Sequence, residues 1–527
     1  MARVTAPQPG AGLRRVARGG ALNMAGAVAG AALNTVLVVV VTRGFSPETA
    51  GVLFAATSVY FIAAAVANLG TATGVVYFVA RVRALGAGHL VPVVLRRACG
   101  PVAAVAVAAG AALWVGAADV ARFAGAEGAA DYVRVLAVVL PFAVVTDTLL
   151  AATRAFHDMR PTVALEKVGR PLAQVGLVAA VAATGGAGLL AAAWAGPYLP
   201  AALLALFWLR RVLRAAPPAE VPEAAAPPGG VEREVAARAF WAFTLPRSAS
   251  TVAQLGIQRG GIVLVAALRG AADAAVLTAA SRLLVVGQFA GQAVQHAAQP
   301  RLAELLAVGD REGAADLYRT ATAWLVCLTW PVLLPAALYA PLVMGVFGDG
   351  YSGGAGVLVV LALTQMAGAA LGMGDLVLTM TGRSRAALGN NVAALAVNVA
   401  GCVALVPALG AEGAAAAWAG AVLLRNLLPL AQLARGYGLH PFGRRWLLAA
   451  GACLGWFGAV PAAALAVLGP GAWSLAAALA AGGAGYAVTL WRLRGALGLA
   501  GLLRRRGSAA AVPPVSGTSR DITVRNR

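Results

Sequence analysis

ALNMAGAVAGAALNTVLVVVVTRGFSPETAGVLFAATSVYFIAAAVANLG, residues 21–70, sets the class of this protein. Two runs free of Asp, Glu, Lys and Arg, 21–42 and 51–79, flank a short turn that holds Arg43, Ser46, Pro47 and Glu48. Either run is long enough to cross a bilayer, which takes about 20 apolar helical residues. The pattern recurs along the chain at 98–118, 134–155, 165–185, 187–209, 239–267, 273–298, 320–345, 354–380, 386–407, 411–432, 446–467 and 472–491. The expectation is an all-α polytopic membrane protein with about 14 transmembrane helices.

The basic residues orient these spans. With the N-terminus in the cytoplasm and each span reversing direction, only Arg43, Arg122, Arg134 and Arg269 fall on the outer side. Arg247, Arg259 and Arg282 fall inside spans, and the remaining Lys and Arg lie at cytoplasmic loops or helix ends. That asymmetry is what the positive-inside rule requires, so the expected location is the cytoplasmic membrane, multi-pass, with both termini cytoplasmic. A net charge of +21 could be read as a nucleic-acid footprint. Here it is spread over short loops of a chain that is 60% hydrophobic and 12% charged, so the expected contact is anionic lipid, not nucleic acid.

Composition divides the chain. Residues 1–209 form an N-terminal six-helix bundle, 210–238 a Pro/Ala-rich cytoplasmic linker, and 239–437 a second six-helix bundle. Residues 438–503 form a terminal transmembrane pair and 504–527 a disordered cytoplasmic tail. The outer loops are short. Arg301–Thr320 reads as an amphipathic surface helix.

Function is carried by polar residues inside the spans. Ser281, Gln288, Gln292, Gln295 and Gln299 follow an i, i+7, i+11, i+14, i+18 series that keeps one helix face. Arg247, Thr251, Gln254 and Gln258 do the same one span earlier. Asn23, Gly30 and Asn34 share a face of the first span, and Thr57, Asn68 and Thr71 a face of the second. A lone Asn is most simply interhelical glue. Matched stripes on adjacent spans point instead to a water-filled cavity.

Arg259 and Arg282 lie deep inside their spans, where a cation costs about 2.5–3.5 kcal/mol on the insertion scale. Guanidinium groups there suit phosphate oxygens through bidentate hydrogen bonds. The bland alternative pairs Arg259 with Asp147 or Asp375, the clearest intramembrane acids and the candidates for ion coupling. Lys167 is the sole lysine and follows Glu166, so the chain has no Walker A loop. Neither HExxH nor a supported GxSxG occurs, and no cofactor or metal is expected.

The residues Gly44-Phe45-Ser46-Pro47, Asn68-Leu69-Gly70, Glu166-Lys167, Phe347-Gly348-Asp349-Gly350-Tyr351, Gly382 with Asn390, Asn391 and Asn398, and above all Pro407–Ala415 stand in a recognisable order. On them, residues 14–437 resemble the polysaccharide-exporter (O-antigen and teichoic-acid flippase-like) branch of the multidrug/oligosaccharidyl-lipid/polysaccharide superfamily. The resemblance implies two six-helix bundles in a V plus a C-terminal helix pair, and alternating access. The implied cargo is a polyprenyl-diphosphate-linked glycan moved to the outer leaflet, with glycan polymerase or glycosyltransferases as partners. By the same resemblance Arg259 and Arg282 hold the diphosphate, with Arg18 or Arg247 at the cytoplasmic mouth. The expected cavity set is Arg259, Arg282, Arg247, Gln254, Gln258, Gln288, Gln292, Gln295, Asn34 and Asn68. Many relatives carry an acid in the seventh span where this chain has Gln258-Arg259. A drug or cation antiporter of the same fold, or a non-transporting scaffold in a glycan-assembly complex, are the alternatives.

Overall fold

The computed structural model describes residues 9–84, 87–123, 128–156, 158–215, 237–381 and 383–498. The linker core and the tail lie outside these, as do the side chains of Arg18, Arg247 and His296 and all of Gly382. Apolar sequence becomes helix here because a span in lipid must satisfy every backbone N–H and C=O within itself.

The first half runs α1 (Pro9–Gly44), α2 (Pro47–Asn68), α3 (Thr71–Ala84), α4 (Val91–Val115), α5 (Ala117–Phe123) and α6 (Ala129–Ala155). It ends with α7 (Arg170–Thr184), α8 (Leu190–Ala195) and α9 (Tyr198–Ala215). A π-helical segment, Thr162–Gly169, leads into α7. The second half runs α10 (Ala237–Arg269), α11 (Ala271–Ser281), α12 (Leu284–Ala307), α13 (Arg311–Leu338), α14 (Ala340–Gly345), α15 (Ala355–Leu371), α16 (Gly374–Met380) and α17 (Ser384–Tyr437). A terminal pair follows: α18 (Arg444–Cys453) with α19 (Val460–Leu468), and α20 (Ala472–Leu493).

Helical backbone covers each of the expected stretches, but among the described residues 10 segments are long and apolar enough to cross a membrane by length and composition. Two expected spans, 386–407 and 411–432, fall in one of these segments, where α17 breaks at Gly410 (φ 56°, ψ −133°). The stretches 165–185, 239–267 and 273–298 are not among the 10. Those three carry Glu166, Lys167 and Arg170, Arg259, and Arg282 with the glutamines. The Arg301–Thr320 surface helix is also interrupted. Asp310 caps a new helix there, accepting from Gly313 N at 2.8 Å.

Helix starts follow local chemistry. Ser46 caps α2 through Thr49 N, with Pro47 at the first position and Glu48 in the first turn. At the other end of α2, Leu69 (φ 52°) and Gly70 (φ 72°) turn the chain into α3. A Cβ on Gly70 would collide with the Thr244 carbonyl of α10, so backbone approach demands glycine there.

The halves join at one end. Leu37, Val41 and Leu53 pack into one continuous core with Ala274, Met344, Phe347 and Val406. Arg43 Nε donates to Val346 O at 2.7 Å across this seam, and Gly51 abuts the Ala271 backbone. Towards the opposite end the cores are separate. One is built on Val75, Leu150 and Leu209 together with Phe240 of α10, which stays packed on the first half, and the other on Leu302, Leu378 and Leu433. The terminal pair packs on α13 through Val326, Ala449, Phe457 and Tyr486. A molecule closed at one end and divided at the other has room for a cleft between its walls.

Candidate functional site

The α11–α12 junction is where polarity enters the membrane. The helix tightens at Arg282, where Arg282 N bonds Ala279 O at 3.1 Å and Val285 N bonds Arg282 O at 3.4 Å while Arg282 and Leu283 keep right-handed helical angles. Arg282 Nε donates to Thr278 O at 3.3 Å and its Nη2 to Ser281 Oγ at 3.4 Å, both on its own helix. At 1.5 Å per residue, Arg282 stands about 17 Å along from Ala271, and Arg259 about 15 Å along α10 from Arg269. Both are mid-membrane by that measure.

A cavity of about 600 Å³ opens from this point. Of the expected residues it is lined by Arg259, Arg282, Gln254, Gln258, Gln288, Gln292 and Gln295, and Asp375 is also in its wall. Gln299 continues the stripe. Asn34, Asn68 and Asp147 do not line it. Asn34 Nδ2 donates to Gly30 O at 2.7 Å, one turn back in its own helix. Asn68 Oδ1 accepts from Thr71 Oγ1 at 3.3 Å and Ala72 N at 3.4 Å, capping α3. Asp147 lies on α6 near Arg170, outside the cavity wall.

Sequence reasoning put the hollow between the halves. The lining residues instead all fall between Gln254 and Asn426, so it lies against the second half. The first half reaches its deep end through Phe61, whose ring carries the Arg259 guanidinium 4.9 Å above its centroid. Among the described residues no carboxylate comes within ion-pair distance of Arg259 or Arg282. The alternative in which Asp147 or Asp375 neutralises Arg259 is therefore not what the fold adopts.

Other lining residues escaped the sequence reading. Arg425, next to Asn426 in an apolar run, lines the cavity near Asp375. Gln365 fills the space that Gly287 leaves open. Phe61 belongs to an aromatic cluster with Tyr60, Trp194 and Tyr198, and Arg170 stacks on Tyr198 at 4.6 Å from the centroid. Some polar residues are glue, as a lone Asn suggests. Asn390 and Gln432 exchange amide hydrogen bonds at 3.0 and 3.1 Å between the limbs of α17, and Lys167 Nζ bonds Asn23 Oδ1 at 2.8 Å.

A family described as "Polysaccharide biosynthesis protein" matches residues 40–353. The chain belongs to this polysaccharide biosynthesis protein family. Its fold is that of the multidrug/oligosaccharidyl-lipid/polysaccharide superfamily. A structure of the lipid II flippase MurJ in an inward closed conformation superposes with TM-score 0.69 at 11% identity, covering 91% of this chain and 99% of that one. An inward-facing multidrug resistance MATE family transporter gives 0.55 at 17%, covering 77% and 93%. The eukaryotic MATE transporter AtDTX14 gives 0.50 at 15%, covering 84% and 100%. No curated protein sequence matches the chain. At these identities the structural likeness establishes the fold of this polysaccharide biosynthesis family member and nothing about its cargo.

Proposed function

We propose that the protein is a flippase, not an enzyme, that moves a polyprenyl-diphosphate-linked oligosaccharide or polysaccharide precursor across the cytoplasmic membrane by alternating access. The observation that carries this reading is the pair Arg259 and Arg282, both without a carboxylate partner among the described residues, in the wall of an amide-lined cavity. Family membership supplies the glycan context. The positive-inside arrangement supports a cavity open to the cytoplasmic side and both termini in the cytoplasm.

In this reading the two guanidinium groups bind diphosphate oxygens while sugars occupy the rest of the cavity and the prenyl tail stays in the bilayer. Anion binding relieves the repulsion between two neighbouring cations that the protein otherwise tolerates in a low-dielectric site. Release of the Arg43–Val346 seam and rocking of the bundle 1–209 against the bundle 239–437 would then open the cleft outward. Polymerase and glycosyltransferases are the proposed neighbours. A cation antiporter fits less well, because Arg259, Arg282 and Arg425 stand against Asp375 in the cavity wall. The test is leaflet-specific labelling of lipid-linked glycan intermediates in cells lacking the gene. Intermediates trapped in the inner leaflet support a flippase, and an unchanged distribution removes the reading.

A further inference from the structure

The terminal pair packs on α13, and two thiols meet at that contact. Cys453 of α18 is fully buried, with its Sγ 3.8 Å from Val326 O and 3.6 Å from Tyr486 Oη of α20. The same hydroxyl donates to Cys327 O at 2.9 Å. Each thiol is the other's leading polar neighbour, and both are free cysteines. Their position gives them leverage on the cavity. Leu325 and Thr329 of α13 line it, and at about 100° per residue Cys327 falls on the opposite side of the helix. So α13 carries the cavity on one face and the thiol pair on the other. Four residues beyond Cys327, Pro331 interrupts the hydrogen bonding of α13, as Pro335 does again. Directly after Cys453, α18 gives way to a π-helical turn, Leu454–Ala459. Both helices are thus irregular just past the thiols, where a helix bends most easily.

We propose that Cys327 and Cys453 form a redox switch, in which a disulfide staples the terminal pair to the back of the cavity wall and brakes transport. The two thiols together give up two electrons and two protons to a quinone dissolved in the bilayer. One S–S bond forms, and the quinone leaves as the quinol. Cys453 is closed to water and Cys327 is half-buried on the side away from the cavity, so the oxidant that reaches them is a lipid-borne one. A dithiol reductant reverses the step by thiol–disulfide exchange. The staple acts because rocking of the bundles requires α13 to move, and a covalent tie to α18 holds it in one position. This rests on the flippase reading for the process that is braked. It adds the regulation of that process and the residues that carry it.

The test uses full-length protein carrying Cys99→Ser and Cys402→Ala in proteoliposomes, with duroquinone as the oxidant, because its methyl groups block addition of thiols to the ring. Maleimide labelling after unfolding should find both thiols free before oxidation, neither after it, and both again after dithiothreitol. Leaflet exchange of a fluorescent polyprenyl-diphosphate-linked oligosaccharide should be lost on oxidation and return with dithiothreitol. Cys327→Ala and Cys453→Ala, each alone, should make exchange indifferent to the quinone. The proposal is overturned if both thiols stay free after quinone treatment, or if oxidised protein exchanges lipid at the reduced rate. Reduced protein that exchanges nothing counts against the flippase reading instead. The staple is then read by amide hydrogen exchange, which should slow across Leu454–Ala459 on oxidation, and an unchanged rate there overturns it.

Discussion

The Arg259 guanidinium of α10 lies on the Phe61 ring of α2, 4.9 Å from its centroid. A π face stabilises a buried cation without using its hydrogen-bond forks, as a carboxylate partner would. Arg259 is thereby held in the membrane and remains able to take up an anion. The contact also ties the wall of the cavity to the first half of the chain.

Removing that ring should therefore weaken cargo binding. Phe61→Leu is expected to lose about 0.5–2 kcal/mol, up to roughly thirtyfold in affinity for a prenyl diphosphate, since a cation over an aromatic face is worth that much. Phe61→Trp should retain the wild-type value. Binding titrations on the purified variants check this, and an unaltered Phe61→Leu affinity would assign the ring to packing alone.

Charge removal at the deep end should be more severe. Arg259→Gln and Arg282→Gln each delete a charged hydrogen-bonding group worth about 1.5–3 kcal/mol to an anion. The double variant should abolish surface glycan at normal protein abundance. Quantitative surface-glycan immunoblotting beside an abundance blot decides it. Wild-type glycan levels would remove these residues from the mechanism.

The Arg43–Val346 seam should behave as a gate. A cysteine at each position, in a background with the four native cysteines replaced, should be joined in resting membranes by a bis-methanethiosulfonate crosslinker, because the extended Arg43 side chain bridges to the Val346 carbonyl. Transport should stop on crosslinking and return on reduction. Transport at full rate through a crosslinked protein would mean the halves never separate there.

At the same seam, Gly51→Val should destabilise the protein, because even a Cβ at Gly51 meets the Ala271 carbonyl. Overpacking of this kind costs about 1–3 kcal/mol or more. Gly100→Ala, with open space around it, should be neutral or slightly stabilising. Thermal melts of both variants in detergent compare them directly.

Much of this architecture was legible in the sequence because lipid imposes a simple rule: long apolar runs become helices. The glutamine stripe and Arg259 with Arg282 were legible too, since helical periodicity puts them on matched faces. Three things were not. The tightened turn at Arg282 carries no proline or glycine, so nothing local marks it. Arg425 lies near a span end, where a basic residue reads as an orientation signal. Phe61 is one aromatic among many, and only tertiary packing brings it to Arg259. Asn34 and Asn68 misled in the opposite direction. Asn34 satisfies its own helix and Asn68 caps the helix that follows, local uses that the spacing of residues does not reveal.

The most direct measurement is leaflet exchange in proteoliposomes carrying a fluorescent polyprenyl-diphosphate-linked oligosaccharide, read by a membrane-impermeant quencher. Wild-type protein should make the inner pool quenchable, and the folded Arg259→Gln, Arg282→Gln double variant should leave it protected. Equal exchange by both proteins, or none by correctly folded wild type, would contradict the account.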